Sequence, residues 1–154
     1  MVSAKEKPQI QRLDVGLYRR EAKFFLPLTM KTVMISGSRS IRFLPSAAIE
    51  SLDRIIELEL KVIIGDAPGI DSLVQQYLQS KNYQKVTVYF AAWQGSGRPR
   101  NTHGYPAVPV PGSYSERDAQ MCSDCTYGLA IWDGHSRGTL VNIKRVPKTK
   151  VIRC

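Results

Sequence analysis

Short, unbroken apolar runs alternate along this chain with longer segments whose apolar residues recur every three or four positions. The runs Thr32–Ile35, Lys61–Ile64, Lys85–Ala91, Tyr127–Trp132 and Lys150–Arg153 predict five strands. Between the first two, Ala48, Ile49, Leu52, Ile55, Ile56 and Leu60 form a helical stripe behind Pro45, a residue suited to a first helical turn. Ile70, Leu73, Val74, Tyr77 and Leu78 mark a second helix. Ser115-Glu116-Arg117-Asp118 has the pattern of a capped start for a third, which continues through Cys122. A short fourth helix follows Thr139 and ends before Pro147. A run as apolar as Lys61–Ile64 belongs to a strand covered on both faces, the usual state of a parallel sheet.

This alternation predicts an α/β, Rossmann-like three-layer sandwich with a mostly parallel five-stranded sheet in the order 3-2-1-4-5. Two stretches break the rhythm. Trp93–Gly112, rich in Gly and Pro, reads as a long irregular segment, and loops of that length are usually functional or disordered. Residues 1–29 show no sustained period and read as an N-terminal extension, either disordered or an oligomerisation arm. The domain proper is then residues 30–154, with Met30 directly before the first strand.

Three strands run into glycine-bearing loops that lead to helices. These are Ser36-Gly37-Ser38-Arg39, Gly65-Asp66-Ala67-Pro68-Gly69-Ile70-Asp71 and Gly134-His135-Ser136-Arg137-Gly138-Thr139. A helix N-terminus carries unpaired N–H groups and partial positive charge, so it favours an anion. Glycine lets backbone approach that anion closely. Three such loops at one edge of a parallel sheet predict a composite pocket for a phosphorylated small molecule.

Composition narrows the partners. With 43% hydrophobic and 23% charged residues, the chain has the make-up of a globular domain. No apolar run approaches the roughly 18 residues of a membrane span, and Met1–Glu6 lead into no secretory signal, so the expected location is the cytoplasm. The net charge of +9 raises nucleic acid as a partner, yet residues 30–136 hold ten basic and ten acidic residues. The excess lies in residues 1–29 and 137–154, each with six basic residues against three acidic and none. Such ends bind nucleic acid non-specifically or are simply solvated, and the second reading is preferred. Cys122, Cys125 and Cys154 give an odd count that argues against a disulfide framework. Zinc needs about four ligands, and no second cysteine pair or histidine cluster completes a site around Cys122 and Cys125. Both are expected to pack toward the sheet from one helix face.

From Met30 to about Val146 the motifs together resemble the SLOG superfamily, and within it the small bacterial YpsA-related branch. The resemblance rests on Gly37-Ser38-Arg39, on Gly65 through Asp71, on Glu116-Arg117-Asp118-Ala119-Gln120-Met121, and on Ala130 through Thr139. It implies a nucleotide or nucleotide-derived ligand at the C-terminal edge of the sheet, and a homo-oligomer with the site near the subunit boundary. Relatives include the Lonely Guy phosphoribohydrolases and DNA-processing protein A. The Lonely Guy motif Pro-Gly-Gly-x-Gly-Thr-x-x-Glu, anchored on Gly138-Thr139, places Asn142 where its carboxylate would be. Asn cannot serve as a general base, so binding or sensing is favoured over hydrolysis. The alternatives are a nucleotide hydrolase and a single-stranded DNA binder.

The candidate ligand-binding residues carry two readings each. Gly37, Gly65, Gly69, Gly134 and Gly138 serve phosphate approach or tight turns. Ser38, Ser136 and Thr139 donate to phosphate or cap helices. Arg39 and Arg137 offer charge-assisted bonds to phosphate oxygens. Asp66 and Asp71 suit a ribose hydroxyl, a metal-bound water or a cap; a divalent ion beside the ligand stays open, and no protein metal site is assigned. Arg117 and Asp118 clamp phosphate and sugar, or pair with each other. Should the chain be a hydrolase, Asp66, Asp71 or Asp118 would supply the carboxylate. Trp93, Tyr105 and Tyr114 flank the long loop as candidate stacking surfaces for a base.

Overall fold

The computed structural model describes residues 31–93 and 97–154. The predicted extension and Met30 lie outside the described residues. The elements, in chain order, are β1 (Thr32–Gly37), α1 (Ser46–Glu57), β2 (Lys61–Ile64), α2 (Ile70–Ser80), β3 (Val86–Ala92), β4 (Ala107–Pro111), α3 (Tyr114–Asp124), β5 (Tyr127–Trp132), α4 (Arg137–Arg145) and β6 (Thr149–Arg153). The six strands form one parallel sheet ordered β4-β3-β2-β1-β5-β6.

Among the described residues the sheet therefore has six strands rather than five. The additional one, β4, lies within the stretch read as irregular and extends the predicted order at its β3 edge. It escapes a pattern search because Pro109 and Pro111 interrupt it. Proline is tolerated there because, among the described residues, β4 is an edge strand paired with β3 alone.

Each central strand buries both its faces. Val33 and Ile35 join Val62, Ile64, Val88, Leu129 and Ile131 in a core closed by Leu52 of α1 and by Ile70, Val74 and Leu78 of α2. Met34 and Ile63 point the other way, onto Met121 of α3 and Val146 after α4, with Cys122 and Cys125 packed alongside. The two cysteines thus lie against the sheet as expected, and all three are free thiols. The α1 and α2 crossovers carry the chain from β1 toward β3, whereas α3 and α4 bring it back across and on to β6. Right-handed crossovers running in opposite directions place their helices on opposite faces, which gives the three layers. Among the described residues, no helix is long and apolar enough to cross a membrane.

The third helix is capped two residues earlier than its sequence pattern suggests. Ser113 is the N-cap, accepting from the Glu116 N–H, while the Glu116 carboxylate takes the Ser113 N–H in return. The reciprocal cap thus centres on Ser113, not Ser115.

Candidate functional site

The direction of chain travel reverses between β1 and β5, so the loops leaving these neighbours diverge to opposite faces. A crevice at the C-terminal end of the sheet follows from that topology. Here it is a cleft of about 630 Å³, within the roughly 300–1,000 Å³ typical of small-molecule sites. Of the candidate residues, Gly37, Arg39, Gly65, Asp71, Arg117, Asp118, Ser136, Arg137, Gly138 and Thr139 line it. Ser38, Asp66, Gly69 and Gly134 do not.

Those four hold the walls. Ser38 is fully buried, and its hydroxyl accepts the Asp133 N–H at 3.0 Å. Gly69 is the N-cap of α2 with φ +80°, and a Cβ there would strike the backbone of Arg39. Gly134 turns with φ +84° beside the Arg153 guanidinium. Asp66, 2% exposed, takes Arg117 Nη1 at 2.8 Å and Arg100 Nη2 at 2.9 Å on Oδ1, and the Arg100 N–H at 2.8 Å on Oδ2. Burial pushes its carboxyl up, but the Arg100 hydrogen bonds and the two guanidinium charges outweigh that and hold it below the ordinary carboxylate value.

Arg117 is correspondingly committed. Besides Asp66, it donates from Nε (3.0 Å) and Nη2 (2.8 Å) to Asp118 Oδ1, and Asn142 Nδ2 donates to Asp118 Oδ2 at 3.2 Å. The guanidinium crosses directly over Gly65, where an added Cβ would lie 2.9 Å from Arg117 Cζ and 2.6 Å from Asp71 Oδ2. Gly65 is thus required by the side chains packed on it. Arg117 acts as a strut between α3 and the β2 loop, and its visible bonds go to protein carboxylates. Asn142, at the position where the resemblance expects a carboxylate, is buried and braces Asp118, with Cys122 Sγ 3.6 Å from its Oδ1.

The opposite wall is basic and open. Arg39 and Arg137 are exposed and make no ion pair or side-chain hydrogen bond among the described residues. No side chain caps α4, which leaves the first-turn N–H groups of Arg137, Gly138 and Thr139 without a side-chain acceptor. Gly138 faces open space, with nothing within 4 Å of an added Cβ. Ser136 and Thr139 hydroxyls lie 3.2 Å apart beside it.

Asp133, Ser40, Arg100 and Asn142 also line the cleft. Of these, Ser40 and Arg100 lie outside the motifs that single out the other candidates, and Asp133 lies within Ala130 through Thr139 without being singled out there. Asp133 Oδ1 accepts the His135 and Ser136 N–H groups, each at 2.8 Å, and Oδ2 accepts the Ser40 hydroxyl at 2.8 Å. These bonds hold its carboxyl far below the usual range. The loop after β1 and the loop into α4 are latched together by this one carboxylate. A local signal for it exists, since Asp three residues before Ser after a strand is an Asx-turn pattern. Trp132 completes the support, donating its indole N–H to Ser136 O at 2.9 Å.

Arg100 has no local sequence signal; its place follows from how the long segment is fastened. Asn101 Nδ2 donates to Asp66 O and Ala67 O, Gln75 Nε2 to Asn101 O, and Gln79 Nε2 to His103 O. Of the three aromatics, Tyr105 is buried in the core, with its hydroxyl on Tyr83 O, so it presents no stacking face. Trp93 and Tyr114 are exposed and meet edge-to-face at 5.8 Å. Tyr114 lines the cleft, with Arg100 lying 4.3 Å over its ring. Among the described residues, no three His, Cys, Asp or Glu side chains come together as a metal site.

No protein-family model matches this chain, and no curated protein matches it. The reading of the site rests on its own geometry.

Proposed function

We propose that this protein binds a phosphorylated small molecule, a nucleotide or nucleotide-derived ligand, in the cleft between the β1 and β5 loops. One observation carries the reading: the uncapped N-terminus of α4 and the unpaired Arg39 and Arg137 meet at the topological switch point of a parallel sheet. The phosphate sits against the Gly138 backbone, where the N–H groups and helix dipole favour negative charge. Tyr114 lines the same cleft as an exposed aromatic ring with Arg100 lying over it, and a base would have to meet that pair. The motif resemblance to SLOG proteins points the same way, and we read the chain as a SLOG-like binding domain.

Thermal-shift screening against mononucleotides, dinucleotides, ADP-ribose and cyclic nucleotides tests the reading. A phosphate-dependent, saturable stabilisation is expected. A flat response from folded protein rejects it.

The edges of the sheet support a second part of the proposal, self-association. Pro109 and Pro111 remove donors from the β4 edge, whereas β6 carries no proline and leaves Val151 exposed. An edge that is unpaired among the described residues and carries no proline is a template for pairing. We propose a homo-oligomer joined through β6, and light scattering that finds a monomer across a wide concentration range rejects it.

A further inference from the structure

We infer that Asp71 is the residue with which this cleft reads a hydroxyl of its ligand, so that a polyhydroxylated phosphate ester is preferred over a bare anion. The inference rests on the phosphate-binding reading above and adds the second anchor point of that ligand. Four carboxylates lie in or behind the walls of the cleft, and in three of them both oxygens hold hydrogen bonds. Asp66 takes three bonds from Arg100 and Arg117, Asp118 takes bonds from Arg117 and Asn142, and Asp133 takes two backbone N–H groups and the Ser40 hydroxyl.

Asp71 differs. Its Oδ2 accepts the Ala67 N–H at 3.0 Å, and its Oδ1 has no partner among the described residues. The residue is only 6% exposed, yet it lines the cleft. Among the described residues, the fully buried side-chain atoms without a partner belong to Ser51 and Asn101. Asp71 Oδ1 therefore keeps access to solvent, and the space it reaches is the cleft.

The chemistry of the surroundings selects the donor. A cationic ligand group would stand beside Arg117, whose charge acts directly on Asp71. A metal ion would lack further ligands, because the neighbouring carboxylate oxygens are already occupied. A neutral hydroxyl satisfies Oδ1 without bringing charge into a buried place. With the phosphate at α4 and a hydroxyl at α2, the ligand spans the crevice as a sugar phosphate does.

Isothermal titration of the full chain with ribose 5-phosphate, methyl phosphate and inorganic phosphate tests this. The wild-type protein should prefer ribose 5-phosphate over methyl phosphate by roughly tenfold or more, the factor one good hydrogen bond supplies. Asp71→Ala, which offers a ligand hydroxyl neither acceptor nor donor, should lose that preference, ribose 5-phosphate falling to the affinity of methyl phosphate. An equal preference in both proteins, or none in the wild type, overturns the inference and leaves the phosphate reading standing. Failure of all three probes to bind overturns both. Should Asp71→Ala fail to fold, Asp71→Val carries the same comparison. A crystal structure of the wild type with ribose 5-phosphate tests the contact independently: a hydroxyl on Asp71 is expected, and no hydroxyl within roughly 3.5 Å of it overturns the inference.

Discussion

Arg117 and Asp66 meet at 2.8 Å across 51 positions of sequence, and both side chains are almost wholly withdrawn from solvent. Removing one member of such a pair strands the other charge. Arg117→Ala should destabilise the fold by roughly 3 kcal/mol, the low end of the range for broken buried pairs, because Arg100 still holds Asp66. Arg117→Lys should recover little, since an ammonium cannot fork between Asp66 and Asp118. Urea unfolding measures both, and a loss below about 1 kcal/mol for the alanine variant would show the pair to be dispensable.

The same network sets an acid limit. Asp66 has a depressed folded-state pKa, so its contribution is present above the unfolded value of 3.8 and is lost as pH falls through the folded one. Arg100→Ala removes the strongest of the interactions that lower it. Less stabilised by this carboxylate above the unfolded value, that variant should unfold at a higher pH than wild type on acid titration, followed by circular dichroism. Coincident acid transitions would contradict the assignment.

Asp71 works in the opposite sense. Burial pushes its carboxyl up to about 7, against the pull of Arg117 and the Ala67 N–H and with the push of Asp118 and Asp66. A raised folded pKa means a contribution that is full below the unfolded value and lost as pH rises through about 7. Asp71→Asn keeps an acceptor for Ala67 but has no charge to bury. It should therefore exceed wild type in stability at pH 8, by up to about 4 kcal/mol, and lose that advantage near pH 4. Thermal melts across this window decide it; an advantage that did not vary with pH would refute the titration.

Two glycines of the cleft should separate fold from binding. Gly65→Ala drives a methyl into Arg117 and Asp71 and should be strongly destabilising. Gly138→Asp meets no atom within 4 Å, so the fold should hold while its carboxylate repels phosphate from α4. Thermal melts and phosphate titration read the two effects. Retained phosphate affinity in folded Gly138→Asp would move the anion site elsewhere.

The contrast also shows what the chain disclosed and what it withheld. Strands such as Lys61–Ile64 were legible because both their faces are apolar, and the order around β1 followed from crossover rules. β4 was not, because Pro109 and Pro111 erase a strand's signature while leaving an edge strand workable. In the site, the loops that reach the cleft carried local glycine patterns. The division of labour among their side chains did not, since it depends on pairs distant in sequence. Ser38 looks like a phosphate donor until the fold buries it fully, its oxygen accepting the backbone N–H of Asp133 95 positions away. Arg100 looks like an ordinary loop arginine until Asp66 receives both its backbone and its guanidinium.

Asp133 gives the last expectation. It fixes the spacing between Ser40 on one wall of the cleft and the α4 N-terminus on the other, through three bonds from one carboxylate. Asp133→Ala frees the His135 and Ser136 N–H groups and releases Ser40, so the two loops no longer hold a common geometry. Thermal stability should fall modestly, and affinity for ribose 5-phosphate should fall more, because an anion site made of backbone N–H groups depends on where they point. Asp133→Asn keeps an Oδ1 acceptor for both N–H groups and presents an amide donor that the Ser40 hydroxyl can turn to accept. It should recover most of both losses. If Asp133→Ala binds ribose 5-phosphate as wild type does, the latch has no part in shaping the site. If the Asn variant fails as badly as Ala, the charge itself, rather than the hydrogen-bond geometry, holds the loops.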